Sequence, residues 1–257
     1  LASGAVPSVR LTEIFRQAEA SRIVRAAHDI RHGRVPEEAG EKNTDFAFLP
    51  REEPEEIAKL VVRLVREEIP RRLGLDAVRD IQVLAPMHRG SLGIRELNTA
   101  LQAALNPPHP DRAEVERFGT KFRAGDKVLQ TRNNYDKEVF NGDIGRITSI
   151  DGDQRQVCIE FDGRPTVYEF NELDEVEPAY AISIHKSQGS EFPAVVIPLA
   201  MQHFLLLQRN LLYTGITRGK RLVVVAGQRQ ALATAVRQND TRQRHGGLGF
   251  RLRQTTT

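Results

Sequence analysis

Ala179-Tyr-Ala-Ile-Ser-Ile-His-Lys-Ser-Gln-Gly-Ser-Glu-Phe192 is the stretch on which the fold turns. An apolar run over 179–184 passes into a polar turn that holds hydroxyls, an imidazole, an ammonium and one glycine. A second apolar run, 194–199, follows almost at once. Short continuous apolar strands separated by helical spacing imply a parallel sheet covered on both faces. Downstream, 204–217 reads as mostly helix, 221–226 as a strand and 228–237 as a final helix. Upstream, Ile23, Val24, Ala27 and Ile30 keep helical spacing, with Gly33 as the stop, after a short strand over 8–11 that leads into a helix. Residues 55–73 repeat the helical pattern with Ile57, Leu60, Val61, Leu64 and Val65. A buried strand over 80–86 ends in a polar turn, 87–91, which opens a helix over 94–105. Asn106-Pro-Pro-His-Pro110 then breaks the chain.

The texture changes between 121 and 177. Short β-rich runs alternate with turn signals at Asn141-Gly-Asp, Asp151-Gly-Asp and Asp162-Gly-Arg-Pro, the pattern of a small antiparallel barrel or sandwich. Its aromatics Tyr135, Phe140, Phe161, Tyr168 and Phe170 are expected in its core. The chain thus reads as one α/β domain interrupted by a small β insertion. We divide it at 1–119, 120–178 and 179–250, with a tail at 251–257.

Composition narrows the function classes. Hydrophobic residues make up 40% and charged residues 28% of 257, enough for a buried core and a soluble surface. No apolar run reaches the roughly 18 residues needed to span a bilayer. The first residues lack a secretory pattern, and Leu1 in place of methionine points to a trimmed chain or a fragment. The single cysteine, Cys158, excludes an internal disulfide framework and fits a reducing, cytoplasmic setting; it is expected as a small core residue rather than a nucleophile. Seven scattered histidines and one cysteine offer no metal-ligand spacing. Net charge is only +3, but ten Lys/Arg face the single acid Asp240 between Gln208 and Thr257, while 37–56 is acidic. A one-sided basic tail is the footprint of a polyanion partner, with a solvated tail beyond Arg237 as the alternative.

Two segments carry candidate chemistry. In the 183–191 turn, Gly189 permits close backbone approach while Ser183, His185, Lys186 and Ser187 offer donors. In Asn210-Leu-Leu-Tyr-Thr-Gly-Ile-Thr-Arg-Gly-Lys220, Arg218 lies between a helix and a strand. An always-charged, planar, bidentate donor suits a phosphate whose charge shifts during hydrolysis.

Together these segments resemble the last two motifs of superfamily 1 helicases. The whole chain resembles the C-terminal part of a RecD-like ATP-dependent DNA helicase, the group also called exodeoxyribonuclease V alpha subunit. Leu11-Thr-Glu-Ile-Phe-Arg-Gln17, Leu84-Ala-Pro-Met-His-Arg-Gly90 with Leu97-Asn98, Gly125-Asp-Lys-Val-Leu-Gln-Thr-Arg-Asn-Asn-Tyr135 and Val139-Phe-Asn-Gly-Asp-Ile-Gly145 match further family segments in the family's order. The resemblance implies a RecA-like parallel-sheet motor domain interrupted by a small SH3-like β-barrel. It implies ATP and Mg²⁺ as cofactors, with Arg16 and Arg218 reaching the γ-phosphate and Gln188, Gly189 and Glu191 on the nucleotide side. His88, Arg89, Asn98, Ser183, His185, Lys186 and Thr214 would face DNA. Partners would be single-stranded DNA, single/double-strand junctions and a P-loop motor domain, with 5′→3′ movement. Two features depart from the family. Gly215 and Gly219 stand where alanine is usual, costing about 1 kcal/mol each if helical. Gly-x-x-x-x-Gly-Lys-Ser/Thr is absent, and the pair Gly219-Lys220 is followed by Arg221, so the phosphate cradle is expected outside this chain. A non-enzymatic DNA-binding module, the helicase part of a conjugative relaxase and a peptide-binding role for the insertion remain as alternatives.

Overall fold

The computed structural model describes residue 9, residues 21–37, residues 44–239 and residue 251. Along the chain come α1 (Arg22–Arg31), β1 (Phe46–Pro50), α2 (Pro54–Arg63), α3 (Ile69–Leu73), β2 (Ile81–Ala85) and α4 (Ile94–Leu105). Strands β3 (Glu114–Arg117), β4 (Thr120–Arg123), β5 (Lys127–Gln130), β6 (Ile144–Asp151), β7 (Gln156–Phe161), β8 (Arg164–Glu169) and β9 (Val176–Pro178) follow. Then come β10 (Ala181–Ser183), β11 (Phe192–Leu199), α5 (Arg209–Ile216), β12 (Gly219–Gly227) and α6 (Arg229–Arg237).

Strands β1, β12, β11, β2 and β10 lie side by side in that order, every pair parallel. Alternate side chains of β11 feed two apolar layers. Val195 and Ile197 join Ile23 and Ile30 of α1, Leu212 of α5 and Leu232 of α6, whereas Ala194 and Val196 join Ile57 and Leu60 of α2 and Leu97 and Leu101 of α4. Both faces of the sheet are therefore covered, which is why its strands read as unbroken apolar runs. Gly33 takes φ +75 just beyond α1 and ends it as expected.

Three elements differ from expectation. Phe46–Pro50 forms edge strand β1 against Val223–Gly227, within a stretch legible only as acidic. The helix over 55–73 contains a π turn at Leu64–Glu68, where Ile69 N bonds Leu64 O. Pro70 has no N–H to offer, so the hydrogen-bond ladder widens just before it. The helix expected over 204–217 is broken: Met201–Leu206 is a 3₁₀ turn, Leu207 and Gln208 are not helical, and α5 starts at Arg209.

The insertion is a five-stranded antiparallel sheet in the order β8-β7-β6-β5-β9, with a 3₁₀ turn at Glu172–Glu175. Asp162 and Gly163, with φ 47 and 79, make the two-residue hairpin between β7 and β8. Val128, Ile147, Val157, Ile159, Phe161 and Tyr168 build its core; Cys158, expected there, is only half-buried and lies outside it. Tyr135 and Phe140 are not in that core: they sit on the 131–143 loop, 74% and 45% exposed. The division drawn at 119/120 cuts the β3–β4 hairpin, which pairs from Glu114↔Arg123 to Arg117↔Thr120.

A buried carboxylate fastens the insertion to the parallel sheet. Asp126 accepts from Gln102 Nε2 (2.6 Å), Asn106 Nδ2 (2.6 Å), the Arg123 amide (2.7 Å) and the Tyr180 hydroxyl (2.8 Å). Burial, with the Asp126 charge second, pushes the Tyr180 phenol above its ordinary value. Beside it the buried Lys127 ammonium donates to Ile81 O at 3.2 Å, and burial lowers its pKa to about 8. Among the described residues no helix is long and apolar enough to cross a membrane.

Candidate nucleotide and DNA edges

β10 ends at Ser183 beside Ala85, on the carboxyl edge of the sheet, and β11 begins at Phe192 beside Gly219, on the amino edge. The turn 184–190 joins these two edges. Side chain to backbone bonds wind it: Ser183 Oγ accepts from Lys186 N at 3.2 Å and Ser187 Oγ donates to Ile184 O at 2.7 Å. Gly189 adopts φ +89, a left-handed conformation that a Cβ disfavours.

Arg218 meets this turn at the amino edge. Its guanidinium donates from Nε to Thr214 O (3.2 Å), from Nη1 to Ser190 O (3.1 Å) and from Nη2 to Thr217 Oγ1 (3.2 Å). Its own carbonyl accepts from Phe192 N at 2.9 Å, which fixes the backbone at the start of two strands. All three side-chain acceptors are neutral, and no described carboxylate pairs with Arg218. The end of α5, where the helix dipole is negative, suits that cation. Glu191 lies next to it and pairs with Lys220 at 3.2 Å. Gly215 is helical, and an added methyl would touch Ile197 at 3.0 Å. Gly219 opens β12 and is not helical, so the helix cost expected there does not apply; a Cβ would instead run into Val223.

The carboxyl edge carries a different set. His88 and Arg89 are exposed in the turn after β2, and His185 is exposed after β10; none makes a side-chain bond among the described residues. Ser91 Oγ donates to Gln202 Oε1 at 3.3 Å and so ties the 87–91 turn to the segment after β11. Between the two edges, where the 184–190 turn meets α5, a cleft of about 90 Å³ is lined by His185, Gln188, Gln208, Asn210 and Thr214, with Leu206 and Leu211. Gln208 and Asn210 escape the sequence reading because helical spacing hides the break at 207–208.

Several expected site residues have partners within the frame. Asn98 is buried, and its amide bonds both backbone groups of Ala181. Packing of α4 on β10 thus commits its amide to the backbone of β10. Ser183 is buried and caps the turn, and Lys186 is paired with Glu177 of β9 at 2.5 Å. Thr214 gives its hydroxyl proton to Asn210 O at 2.8 Å. Arg16 lies outside the described residues, as do Arg242, Arg244 and Arg253 of the basic tail. Among the tail's described cations, Arg209 donates to Val236 O at 2.8 Å, Arg221 to Leu73 O at 3.4 Å, and Lys220 pairs with Glu191 at 3.2 Å. Among the described residues no group of three His, Cys, Asp or Glu could hold a metal ion.

Two families match successive stretches of the chain. Residues 97–161 match the family described as ATP-dependent RecD-like DNA helicase SH3 domain, and residues 178–226 match the UvrD-like helicase C-terminal domain. The ATP-dependent RecD2 DNA helicase of Deinococcus radiodurans is 36% identical over 239 residues, covering 93% of this chain and 31% of that protein. The RecBCD enzyme subunit RecD of Mycobacterium tuberculosis is 32% identical over 226 residues, covering 84% of this chain and 37% of that protein. The chain therefore spans about a third of the length of these curated relatives. Among solved structures, Pif1 helicase from Candida albicans aligns with TM-score 0.52 at 17% identity, over 95% of this chain and 60% of that one. Bacteroides Pif1 in complex with ADP-AlF3 and ssDNA aligns with TM-score 0.52 at 18% identity, over 84% of this chain and 51% of that one. These two share the fold. With a RecD-like match on the insertion, a helicase C-terminal match on the sheet, and relatives that align across nearly all of it, the chain belongs to the RecD-like helicases and corresponds to their C-terminal portion.

Proposed function

We propose that this chain is the C-terminal motor half of an ATP-dependent DNA helicase and completes an ATP site whose phosphate cradle lies in a P-loop half. Arg218 carries this reading. A permanently charged fork, held by neutral oxygens beside a glycine-containing turn, can exchange weak partners for a phosphate at little reorganisation. Bound ATP, with Mg²⁺ held by the P-loop half, supplies a γ-phosphate whose charge shifts as its bond breaks. Arg218 meets that charge; Gln188, Gly189 and Glu191 line the nucleotide side, and Arg16 is proposed as the second arginine on resemblance alone. Single-stranded DNA is proposed to run along the carboxyl edge, against His88, Arg89 and His185 and over the cleft beside Thr214. Asn98, Ser183 and Lys186 hold β10 and the turn beneath it. Since the turn 184–190 spans both edges, loss of the γ-phosphate changes what Arg218 binds and shifts the turn that carries His185. Movement 5′→3′, action at junctions and a cytoplasmic setting follow the family resemblance.

ATP turnover by the longest natural form of the protein, with and without single-stranded DNA, tests this. DNA stimulation is expected, and Arg218→Ala should lower the stimulated rate by about 10³-fold. Turnover within twofold of normal in Arg218→Ala would sink the assignment. No turnover with salt-sensitive DNA binding intact would leave a binding module.

A further inference from the structure

The loop 131–143, between β5 and β6, presents Tyr135 and Phe140 to solvent. Their rings meet edge to face with centroids 6.0 Å apart, and they are 74% and 45% exposed. The loop that carries them is firmly built. Asn134 and Val139 exchange backbone bonds at 2.8 and 3.0 Å. Asn133 Oδ1 accepts from Asn141 N at 2.9 Å, Asp143 accepts from Phe140 N at 2.8 Å, and Asn134 Nδ2 donates to Glu175 at 3.0 Å. Aromatics held outward on an ordered loop lose little freedom when a partner docks.

The surrounding charge decides what fits there. Arg132, Lys137 and Arg164 are each matched by an acid, Asp174, Glu172 and Glu138, at 2.6, 3.0 and 2.9 Å. Asp136, Asp143 and Glu175 have no cationic partner among the described residues. The excess is felt within the barrel: after burial, the charges of Glu175, Glu172 and Asp143 push the Tyr168 phenol above its ordinary value. A nucleotide stacked on Tyr135 would bring its phosphates against this negative surface, which opposes binding. A cationic side chain is attracted both by the ring faces and by the carboxylates. An extended segment also suits an exposed aromatic pair, because its ring-like or aliphatic residues cover the rings without first having to unfold.

We propose that this face of the insertion docks an extended, arginine- or lysine-bearing segment of a partner protein, with Tyr135 and Phe140 as the apolar anchor and Asp136, Asp143 and Glu175 as the cation-selective part. This surface shares no residue with the proposed DNA edge or ATP site. The test uses fluorescence anisotropy on the 257-residue chain. The probes are a labelled Arg-Pro-Leu-Pro-Arg-Pro-Leu-Pro peptide, the same peptide with glutamate for arginine, and an oligo-dT strand. The arginine peptide should bind and the glutamate peptide should not. Tyr135→Ala with Phe140→Ala should weaken peptide binding by about tenfold or more, and Asp136→Lys by several-fold, while thermal melting and oligo-dT affinity stay unchanged. The proposal is overturned by absence of arginine-peptide binding or by equal binding to the aromatic double variant. It is equally overturned if that variant loses oligo-dT affinity, which would give the aromatic pair to nucleic acid.

Discussion

Asn98 reaches from α4 to the outer side of β10, where its amide donates to Ala181 O at 2.8 Å and accepts from Ala181 N at 2.9 Å. β10 is the last strand of the sheet, so its outward backbone groups need partners that no neighbouring strand supplies. One side chain here stands in for a missing strand. Asn98→Ala should therefore cost about 1–3 kcal/mol, the penalty for leaving buried backbone groups unpaired, and lower the urea midpoint. It should leave the salt dependence of single-stranded DNA binding as it was. Arg89→Ala should do the reverse, keeping the midpoint while flattening the salt slope by about one phosphate contact. A flattened slope in Asn98→Ala, with stability untouched, would return Asn98 to the DNA-facing set. Residue type and spacing alone do not separate the two roles, because both need a donor and an acceptor at the amino end of a helix.

The 3₁₀ turn Met201–Leu206 follows β11 and holds a histidine in an unusual state. His203 is 1% exposed, its Nδ1 accepts from Ala200 N at 3.2 Å, and burial lowers its pKa from 6.5 to about 4. Between those values the unfolded chain binds a proton at this site and the native chain does not. Stability from this group is thus complete above about pH 6.5 and falls as pH drops towards 4, by about 1.4 kcal/mol per unit at the steepest. Urea unfolding at pH 7 and pH 5 should show wild type losing at least about 1 kcal/mol more than His203→Gln; equal losses would mean that the imidazole is already charged when folded. At this scale most of the sheet is legible in the sequence. β2, β11 and β12 show as apolar runs because both faces are covered, and the Asp162-Gly163 hairpin shows because few other residues accept its backbone. The meeting of the 188–191 turn with Arg218, proposed to face nucleotide, is legible in part, since polar turns between apolar runs stand out. β1 is obscured by flanking acids, and it is strand pairing with β12 that makes it a strand. The break at 207–208 is obscured by apolar residues on either side that keep helical spacing. Tyr135 and Phe140 look like core residues because nothing in a β-rich run tells a loop aromatic from a strand aromatic.

Across the whole molecule the insertion and the parallel sheet meet at Asp126, and α4 links that junction to the carboxyl edge. α4 opens just after the turn that bears His88 and Arg89, and Gln102 near its end and Asn106 just beyond it both donate to Asp126. The Arg123 amide comes from the insertion side and the Tyr180 hydroxyl from the start of β10. A fully buried carboxylate that satisfies four donors from both units makes them one mechanical body, so the insertion should follow the motor sheet rather than swing from it. Asp126→Asn keeps the shape but points an N–H₂ group at donors, and should destabilise by about 1–3 kcal/mol, the penalty for leaving buried hydrogen-bonding groups unpaired. The loss should also divide unfolding. Wild type should melt in one transition by both far-ultraviolet circular dichroism and tyrosine fluorescence. In Asp126→Asn the fluorescence of Tyr168, buried in the insertion, should change first, ahead of the helices that cover the parallel sheet. Coincident transitions with an unchanged midpoint would show that the units are held together elsewhere, with Lys127 and its bond to Ile81 O as the next residue to vary.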